Sequence, residues 1–230
     1  LHGSELTDDL LLGLGERGRY RGEPAGQRRV GGLRRQRLGP DPRRIRRGRL
    51  TAAVPELPEV DVVRRGLLEH VKGRRIAALE LRGHRVARRH LPGPADLSER
   101  VTDALVQDVC RRGKYLWLRL LPREGEAFAL LMHLGMSGQL LIEEAEAPDE
   151  KHLHGRFTFA DGGPELRFVD QRTFGGFALC ELDARGIPEE ISHIGADPFD
   201  PAYDARAAAR AIKAKTSGIK RVLLDQRVVS

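Results

Sequence analysis

Pro55-Glu56-Leu57-Pro58-Glu59-Val60 opens the part of the chain that has regular hydrophobic patterning. From there to Val71, apolar residues recur at helical spacing with charged residues opposite them, which predicts an amphipathic helix over residues 59–71. A proline and acidic residues are common in the first turn of a helix, because proline needs no N–H partner there and the helix dipole favours negative charge. Taken alone, the hexapeptide is equally compatible with an ordinary helix start.

Short apolar runs follow the helix and are separated by turn-forming residues. They predict strands over residues 76–81, 101–109, 115–121, 128–132, 139–142, 156–159, 166–169 and 176–182. The sequence Asp161-Gly162-Gly163-Pro164 predicts a hairpin turn between two of them. Many short strands indicate a sandwich or a barrel. We therefore expect an α+β fold, a mostly-β two-layer sandwich with an N-terminal helix.

The C-terminal part of the chain changes to helical patterning. Residues 195–203 are rich in Pro, Asp and Gly, and helices are predicted over 205–215 and 219–224. We expect one domain over residues 55–185, then a linker and the first part of a helical domain over 186–230. Fewer than 40 residues cannot complete a helical domain, so we expect the chain to be truncated at its C-terminus.

The basic charge of the chain is confined to its first 54 residues. They contain 13 arginines, no lysine and 6 acidic residues, whereas residues 55–230 contain 27 basic and 27 acidic residues. We expect residues 1–54 to be a disordered extension or an artefact of a misassigned start, with Val54 as the initiator. The alternative is a basic arm that binds nucleic acid.

The two cysteines, Cys110 and Cys180, lie far apart in the sequence and form no CxxC motif. This spacing excludes a disulfide framework and a four-cysteine zinc site, so we expect no metal and no cofactor in this chain. No apolar stretch is long enough to span a bilayer, and the start lacks a signal-peptide pattern. We expect a soluble intracellular protein without a membrane partner.

Together with four further motifs, the opening hexapeptide makes the chain from Pro55 onwards resemble the formamidopyrimidine-DNA glycosylase family. The four motifs are Arg112-Gly113-Lys114-Tyr115-Leu116, His133-Leu134-Gly135-Met136-Ser137-Gly138, Asp170-Gln171-Arg172-Thr173-Phe174-Gly175, and Lys220 in a helix that runs into Leu224-Asp225-Gln226. The resemblance implies a bacterial base-excision repair enzyme that removes oxidised purines from DNA. It also implies that residues 55–185 are catalytic and that residues 186–230 begin a helix–two-turn–helix DNA-binding domain.

The resemblance assigns the chemistry to Pro55, Glu56 and Lys114. As an N-terminal residue, Pro55 would attack C1′ of a deoxyribose with its secondary amine and form a Schiff base, which permits abasic-site lyase activity. Glu56 would be the general acid/base, and Lys114 would bind phosphate or act as a general acid. Glu59 would orient the amine or simply stabilise the helix start.

The resemblance also assigns the residues that fill the gap left when a base is flipped out of the duplex. These are Met136, Arg172 and Phe174, although a methionine and a phenylalanine are more often core residues. His133 and Lys220 would contact backbone phosphates. The implied partner is damaged double-stranded DNA, bound by a monomer in the bacterial cytoplasm at the nucleoid.

Three features depart from the family pattern. The nitrogen of Pro55 is part of a peptide bond with Val54, the C-terminal domain is incomplete, and the family's structural zinc finger is missing. We therefore expect little activity from this chain, even without residues 1–54. The alternatives are an endonuclease VIII-type glycosylase for oxidised pyrimidines, against which Leu57 argues, and a catalytically inactive protein that binds damaged DNA.

Overall fold

Eight strands form two antiparallel four-stranded sheets in the computed structural model, which describes residues 55–195, 197–200 and 203–228. The strands are β1 (Ile76–Leu81), β2 (Leu105–Arg112), β3 (Tyr115–Leu121), β4 (Phe128–His133), β5 (Gly138–Glu143), β6 (Leu153–Phe159), β7 (Glu165–Asp170) and β8 (Gly176–Cys180). The helices are α1 (Leu57–Val71), α2 (Pro94–Val101), α3 (Ala205–Lys213) and α4 (Ile219–Leu223). One sheet has the order β1-β6-β7-β5 and the other β2-β3-β4-β8.

Helix α1 begins at Leu57, two residues earlier than the hydrophobic spacing predicts, because Glu56 is its N-cap and Pro58 fits the first turn. Its buried residues are Val60, Leu67 and Val71, which follow one another at the seven- and four-residue intervals of a single helix face. Full burial of such a side chain contributes about 1.5–3 kcal/mol. The helix therefore packs firmly on the sandwich, mainly against β2.

The two sheets meet face to face around three phenylalanines. The ring of Phe177 in β8 lies 5.7 Å from that of Phe157 in β6 and 4.9 Å from that of Phe168 in β7. All three side chains are buried in the main hydrophobic cluster, which draws residues from both sheets. The predicted two-layer sandwich is confirmed.

Strand β4 is buried on both of its faces, which explains why its sequence is continuously apolar rather than alternating. Its inner face lies in the main core. On the outer face, Trp117 and Leu131 pack with Ile191 and Ile194, which come from the segment that follows β8. The chain beyond the sandwich is thereby attached to the outer surface of this sheet.

One strand prediction was wrong. Residues 101–109 were expected to form a strand, but Val101 ends α2 and β2 begins only at Leu105. Helix α2 has Pro94 in its first turn, and Leu97 and Val101, four residues apart, are both fully buried. The apolar run therefore combines the end of a helix with the start of a strand.

The other elements match their predictions to within a few residues, including the hairpin turn between β6 and β7 and the two C-terminal helices. Residues 1–54, with the predicted disordered extension, lie outside the described residues. The division at residue 185 stays a prediction. No helix in the described ranges has the length and apolar character that crossing a bilayer requires.

Candidate active site

Pro55 and Glu56 lie at the N-terminal end of α1. Pro55 is partly buried, and Glu56 has the extended backbone of an N-cap residue. The backbone N–H of Glu56 donates to Oε2 of Glu59 at 3.2 Å. Glu59 thus stabilises the start of the helix, which is one of the two roles expected for it, by accepting from an otherwise unpaired amide. The same bond fixes the backbone beside Pro55.

Lys114 reaches Glu56 from the other side of the site. It occupies the second position of the two-residue turn between β2 and β3, where Gly113 has a φ of +56°. Its Nζ lies 2.6 Å from Oε2 of Glu56, and the two side chains are 32% and 59% exposed. The fold therefore brings together an ammonium and a carboxylate that remain open to a ligand beside Pro55.

His133 lies at the end of β4, next to this pair. Its Nδ1 accepts a hydrogen bond from the N–H of Gly135 at 3.0 Å, and its ring lies 5.2 Å from that of Tyr115. Burial lowers the pKa of His133, and the positive charges of Arg89, Arg88 and Lys114 lower it further. The imidazole is therefore neutral at pH 7 and lies in a positive field, which suits an anionic ligand.

Two loops beside His133 carry the predicted gap-filling residues. Met136 lies in the turn between β4 and β5 and is partly buried. Arg172 and Phe174 lie between β7 and β8, with the guanidinium of Arg172 5.3 Å from the centre of the Phe174 ring. Phe174 is 48% exposed. An exposed aromatic ring leaves apolar surface in contact with water, which is unfavourable unless a ligand covers it.

The buried carboxylate of Asp170 connects these two loops. It accepts hydrogen bonds from Ser137 Oγ at 2.5 Å, from the N–H of Gly175 at 2.8 Å and from the N–H of Arg172 at 3.2 Å. Ser137 Oγ also accepts from the N–H of Arg172 at 3.0 Å. Asp170 is fully buried, so these bonds fix both loops in one arrangement.

Arg88 holds the second loop from outside. Its guanidinium donates to three consecutive carbonyls, those of Thr173 at 2.8 Å, Phe174 at 2.5 Å and Gly175 at 3.3 Å. Thr173 has a φ of +55°, which is unfavourable for a β-branched residue. Arg88 therefore stabilises a strained loop conformation that presents Phe174 to solvent.

The sequence predictions missed the supporting residues Asp170, Ser137 and Arg88. Asp170 and Ser137 lie inside motifs that were recognised, and a carboxylate directly before a loop with two glycines is a usable signal. Arg88 lies in an arginine-rich stretch that gives no such signal. Lys220 is exposed on the short helix α4, and the structure describes no contact between it and the other predicted residues. Nε2 of His154 donates a hydrogen bond to the carbonyl oxygen of Asp170 at 2.9 Å.

The sequence profile of the formamidopyrimidine-DNA glycosylase N-terminal domain matches residues 54–177, which is more than half of the chain. The chain belongs to the formamidopyrimidine-DNA glycosylase family. It is 55% identical over 186 residues to a formamidopyrimidine-DNA glycosylase of Nocardia farcinica, with 77% of this chain and 63% of that protein covered. It is 48% identical over 196 residues to that of Kineococcus radiotolerans, with 77% and 64% covered.

Solved structures of this family have the same fold. The Lactococcus lactis formamidopyrimidine-DNA glycosylase, in complex with DNA that contains an abasic site, superimposes with a TM-score of 0.60 at 31% identity. The match covers 76% of this chain and 62% of that one. A structure of MutM with DNA containing carbocyclic 8-oxo-G gives a TM-score of 0.60 at 31% identity, with 76% and 64% covered.

The chain spans about 63% of the length of the glycosylase from Nocardia farcinica. In this chain, the formamidopyrimidine-DNA glycosylase fold places Pro55, Glu56 and Lys114 at one point and His133, Arg172 and Phe174 on the neighbouring loops and strand end.

Proposed function

We propose that this chain supplies the catalytic domain of a base-excision DNA glycosylase that removes oxidised purines and cleaves the resulting abasic site. The observation that carries the proposal is the contact between Glu56 and Lys114 beside Pro55, at the base of loops that expose Arg172 and Phe174. A nucleophile, an acid/base and a phosphate-binding cation are the groups that this reaction needs.

The reaction requires a free amine at Pro55, and therefore a chain that begins there. A secondary amine with a pKa of about 8 is roughly one tenth neutral at pH 7. Its lone pair attacks C1′, the bond from C1′ to the base breaks, and the base leaves with a proton that Glu56 delivers. Glu56 then takes the proton of the attached proline nitrogen and passes it to the ring oxygen, which leaves C1′ as the 4′-hydroxyl, and a cationic iminium forms between the proline nitrogen and C1′.

The iminium makes strand cleavage feasible because it accepts the electron pair that remains when C2′ loses a proton. The bond from C3′ to its phosphate oxygen then breaks, and the phosphate leaves as an anion. Lys114 and the neutral His133 would interact with such phosphates, the first through its charge and the second by donating a hydrogen bond from Nε2. Met136, Arg172 and Phe174 would occupy the space of the extruded base.

The two cysteines of this sequence do not fit a zinc site. There are two cysteines, on different strands, and burial raises the pKa of Cys110 to about 11 and that of Cys180 further. A metal-binding thiol must lose its proton readily, so these residues do not fit the site. Within the described ranges, no three His, Cys, Asp or Glu side chains are grouped to bind a metal ion.

Borohydride trapping tests this proposal directly. A chain that begins at Pro55 is incubated at high concentration with a duplex that contains an abasic site, and the Schiff base is reduced to a stable adduct. The yield should be low, because the helical domain is incomplete in this sequence, but peptide mapping should place the adduct on Pro55 rather than on a lysine. The chain that retains residues 1–54 is the matched control, and it should give no adduct because its Pro55 nitrogen is an amide.

Binding to the same duplex without an adduct at Pro55 would contradict the enzyme and support the second candidate, a protein that recognises damaged DNA without processing it. The peptide bond between Val54 and Pro55 is the observation that favours this second candidate for the chain as it stands. Competition between duplexes with 8-oxoguanine and with an oxidised pyrimidine separates the purine enzyme from an endonuclease VIII-type enzyme.

A further inference from the structure

We propose that Asp197 is a positioning residue that sets the place of Lys114 relative to Glu56. Asp197 lies beyond the sandwich, in the segment that leads to α3 and α4, and its side chain is only 4% exposed. Its significance for catalysis rests on the function proposed above, but its effect on the position of Lys114 is independent of that function.

Asp197 contacts the turn that carries Lys114. Its Oδ2 accepts a hydrogen bond from the backbone N–H of Gly113 at 3.1 Å. Both of its oxygens also accept from the guanidinium of Arg111, one of them at 3.0 Å. The carboxylate therefore binds the turn directly and also through Arg111, the penultimate residue of β2.

Arg111 completes this arrangement from the other side of the peptide. Its guanidinium donates to the carbonyl oxygen of Gly113 at 3.0 Å and lies 3.4 Å from Oδ1 of Asp61 in α1. The N–H and the C=O of Gly113 are thus both held by one buried ion pair. Because that C=O belongs to the peptide bond with Lys114, the position of the Lys114 backbone follows from the ion pair.

Asp61 connects the same network to the helix that begins at Glu56. Burial works against its charged form, but hydrogen bonds and charges from Arg64 and Arg111 outweigh it, so the pKa of Asp61 lies below its usual value. Asp61 therefore remains an anion under ordinary conditions. Asp61, Arg111 and Asp197 therefore form one network of ion pairs. This network contacts both α1, which begins next to Glu56, and the turn that carries Lys114.

Asp197 itself is fixed by its own segment. Its Oδ1 accepts from the N–H of Phe199 at 2.9 Å, and the ring of Phe199 lies 5.6 Å from the Arg111 guanidinium. A buried ion pair adds little stability compared with apolar residues, but it strongly favours one geometry over others. We infer that docking of residues 197–199 assembles the contact between Lys114 and Glu56, so this segment belongs to the catalytic unit.

A zero-length cross-link tests the inference in the full chain without DNA. A carbodiimide activates a carboxylate, and an amine in direct contact displaces the urea to form an amide bond. Peptide mapping should detect the cross-link between Glu56 and Lys114, and Asp197→Ala should lower its yield at least fivefold. The pair formed by Lys72 and Asp108, 3.2 Å apart and remote from Asp197 in the sequence, is the internal reference and should be unchanged.

Two further variants make the result decisive. Asp197→Asn has the same shape but cannot balance the charge of Arg111, so it should lower the yield at least twofold even if Asp197→Ala does not fold. Asp204→Ala removes the N-cap of α3 further along the same segment and should leave the yield unchanged. An unchanged yield in a folded Asp197 variant, or an equal loss in Asp204→Ala, would overturn the inference.

Discussion

Gly135 lies directly against Phe174. A Cβ atom on Gly135 would come within 2.7 Å of the carbonyl carbon of Phe174 and 2.6 Å of the nitrogen of Gly175, and the φ of Gly135 is +63°. The loop with Met136 can therefore touch the loop with Phe174 because residue 135 has no side chain. The two loops form one surface, in which movement of one displaces the other.

Gly135→Ala should destabilise the protein more than a glycine replacement in open space. An alanine at positive φ costs about 1–2 kcal/mol, and the clash should add roughly 1–3 kcal/mol. Gly162→Ala is the matched control, because Gly162 has a φ of +67° and nothing lies within 4 Å of the Cβ it would gain. Urea unfolding of both variants gives the difference. Equal losses of stability would show that the contact between the loops is not tight.

Replacing Asp170 should release both loops at once. The carboxylate of Asp170 accepts from three donors, and Asp170→Asn replaces one of its oxygens with an NH₂ group that can only donate. A buried N–H or O–H then loses its acceptor, which should cost about 2–4 kcal/mol. Ser137→Ala removes the hydroxyl that donates to Asp170 and accepts from the N–H of Arg172, and it should cost about 1 kcal/mol. Urea unfolding measures both, and the double variant should cost less than the sum of the single variants because the two residues share a hydrogen bond. Strict additivity would argue against a shared network.

The sequence predicted the sheets well because strands of a sandwich have a local signal. β1 and β3 were predicted to the residue, since short apolar runs flanked by turn residues define each strand without reference to its partner. The strand prediction over residues 101–109 failed because this local signal is ambiguous there. The buried end of α2 and the buried start of β2 are adjacent, and a continuous apolar sequence does not distinguish a helix from a strand.

Residues of the candidate site could be predicted only where they lie in a recognisable sequence motif. Glu56 and Lys114 were found in this way, but their 2.6 Å contact depends on how α1 packs against the turn after β2. Asp197 and Arg88 were missed because each acts through hydrogen bonds to backbone groups that are distant in the sequence. Such bonds impose no periodicity or motif on the sequence.

Arg88→Ala should weaken recognition of an abasic site with a modest loss of stability. The side chain is exposed but donates to three loop carbonyls, so the free energy of unfolding should fall by about 1 kcal/mol. The loop carbonyls lose their donor, and affinity for a duplex with a tetrahydrofuran abasic analogue should fall about three- to tenfold. Arg88→Lys should not restore it, because an ammonium cannot reach three carbonyls in the planar arrangement of a guanidinium.

Arg185→Ala is the matched control for this measurement. Arg185 is 64% exposed, pairs with Asp183 and has the same charge as Arg88, so its loss changes the net charge of the protein by the same amount. Fluorescence anisotropy at one fixed salt concentration compares the two variants. The same loss of affinity in both would mean that Arg88 contributes charge alone and does not shape the loop.

Acid should destabilise the site through His133. Its pKa in the folded protein lies below the unfolded value of about 6.5, so the unfolded chain takes up the proton first. The stability that the neutral ring provides is complete above that pH and is lost as the pH falls towards and through the folded pKa. Protonation at Nδ1 would also break the hydrogen bond from Gly135 and so disturb the loop that contacts Phe174.

Two measurements check this sign. NMR titration of the His133 ring should give a midpoint below 6.5, and unfolding free energies should decline between pH 6.5 and that midpoint. His133→Asn retains an oxygen that can accept from Gly135 but has no titrating group, so it should flatten the decline. His84→Asn, at an exposed position, is the matched control and should follow the parent. A midpoint above 6.5 would mean that a negative charge near His133 outweighs both burial and the three cations.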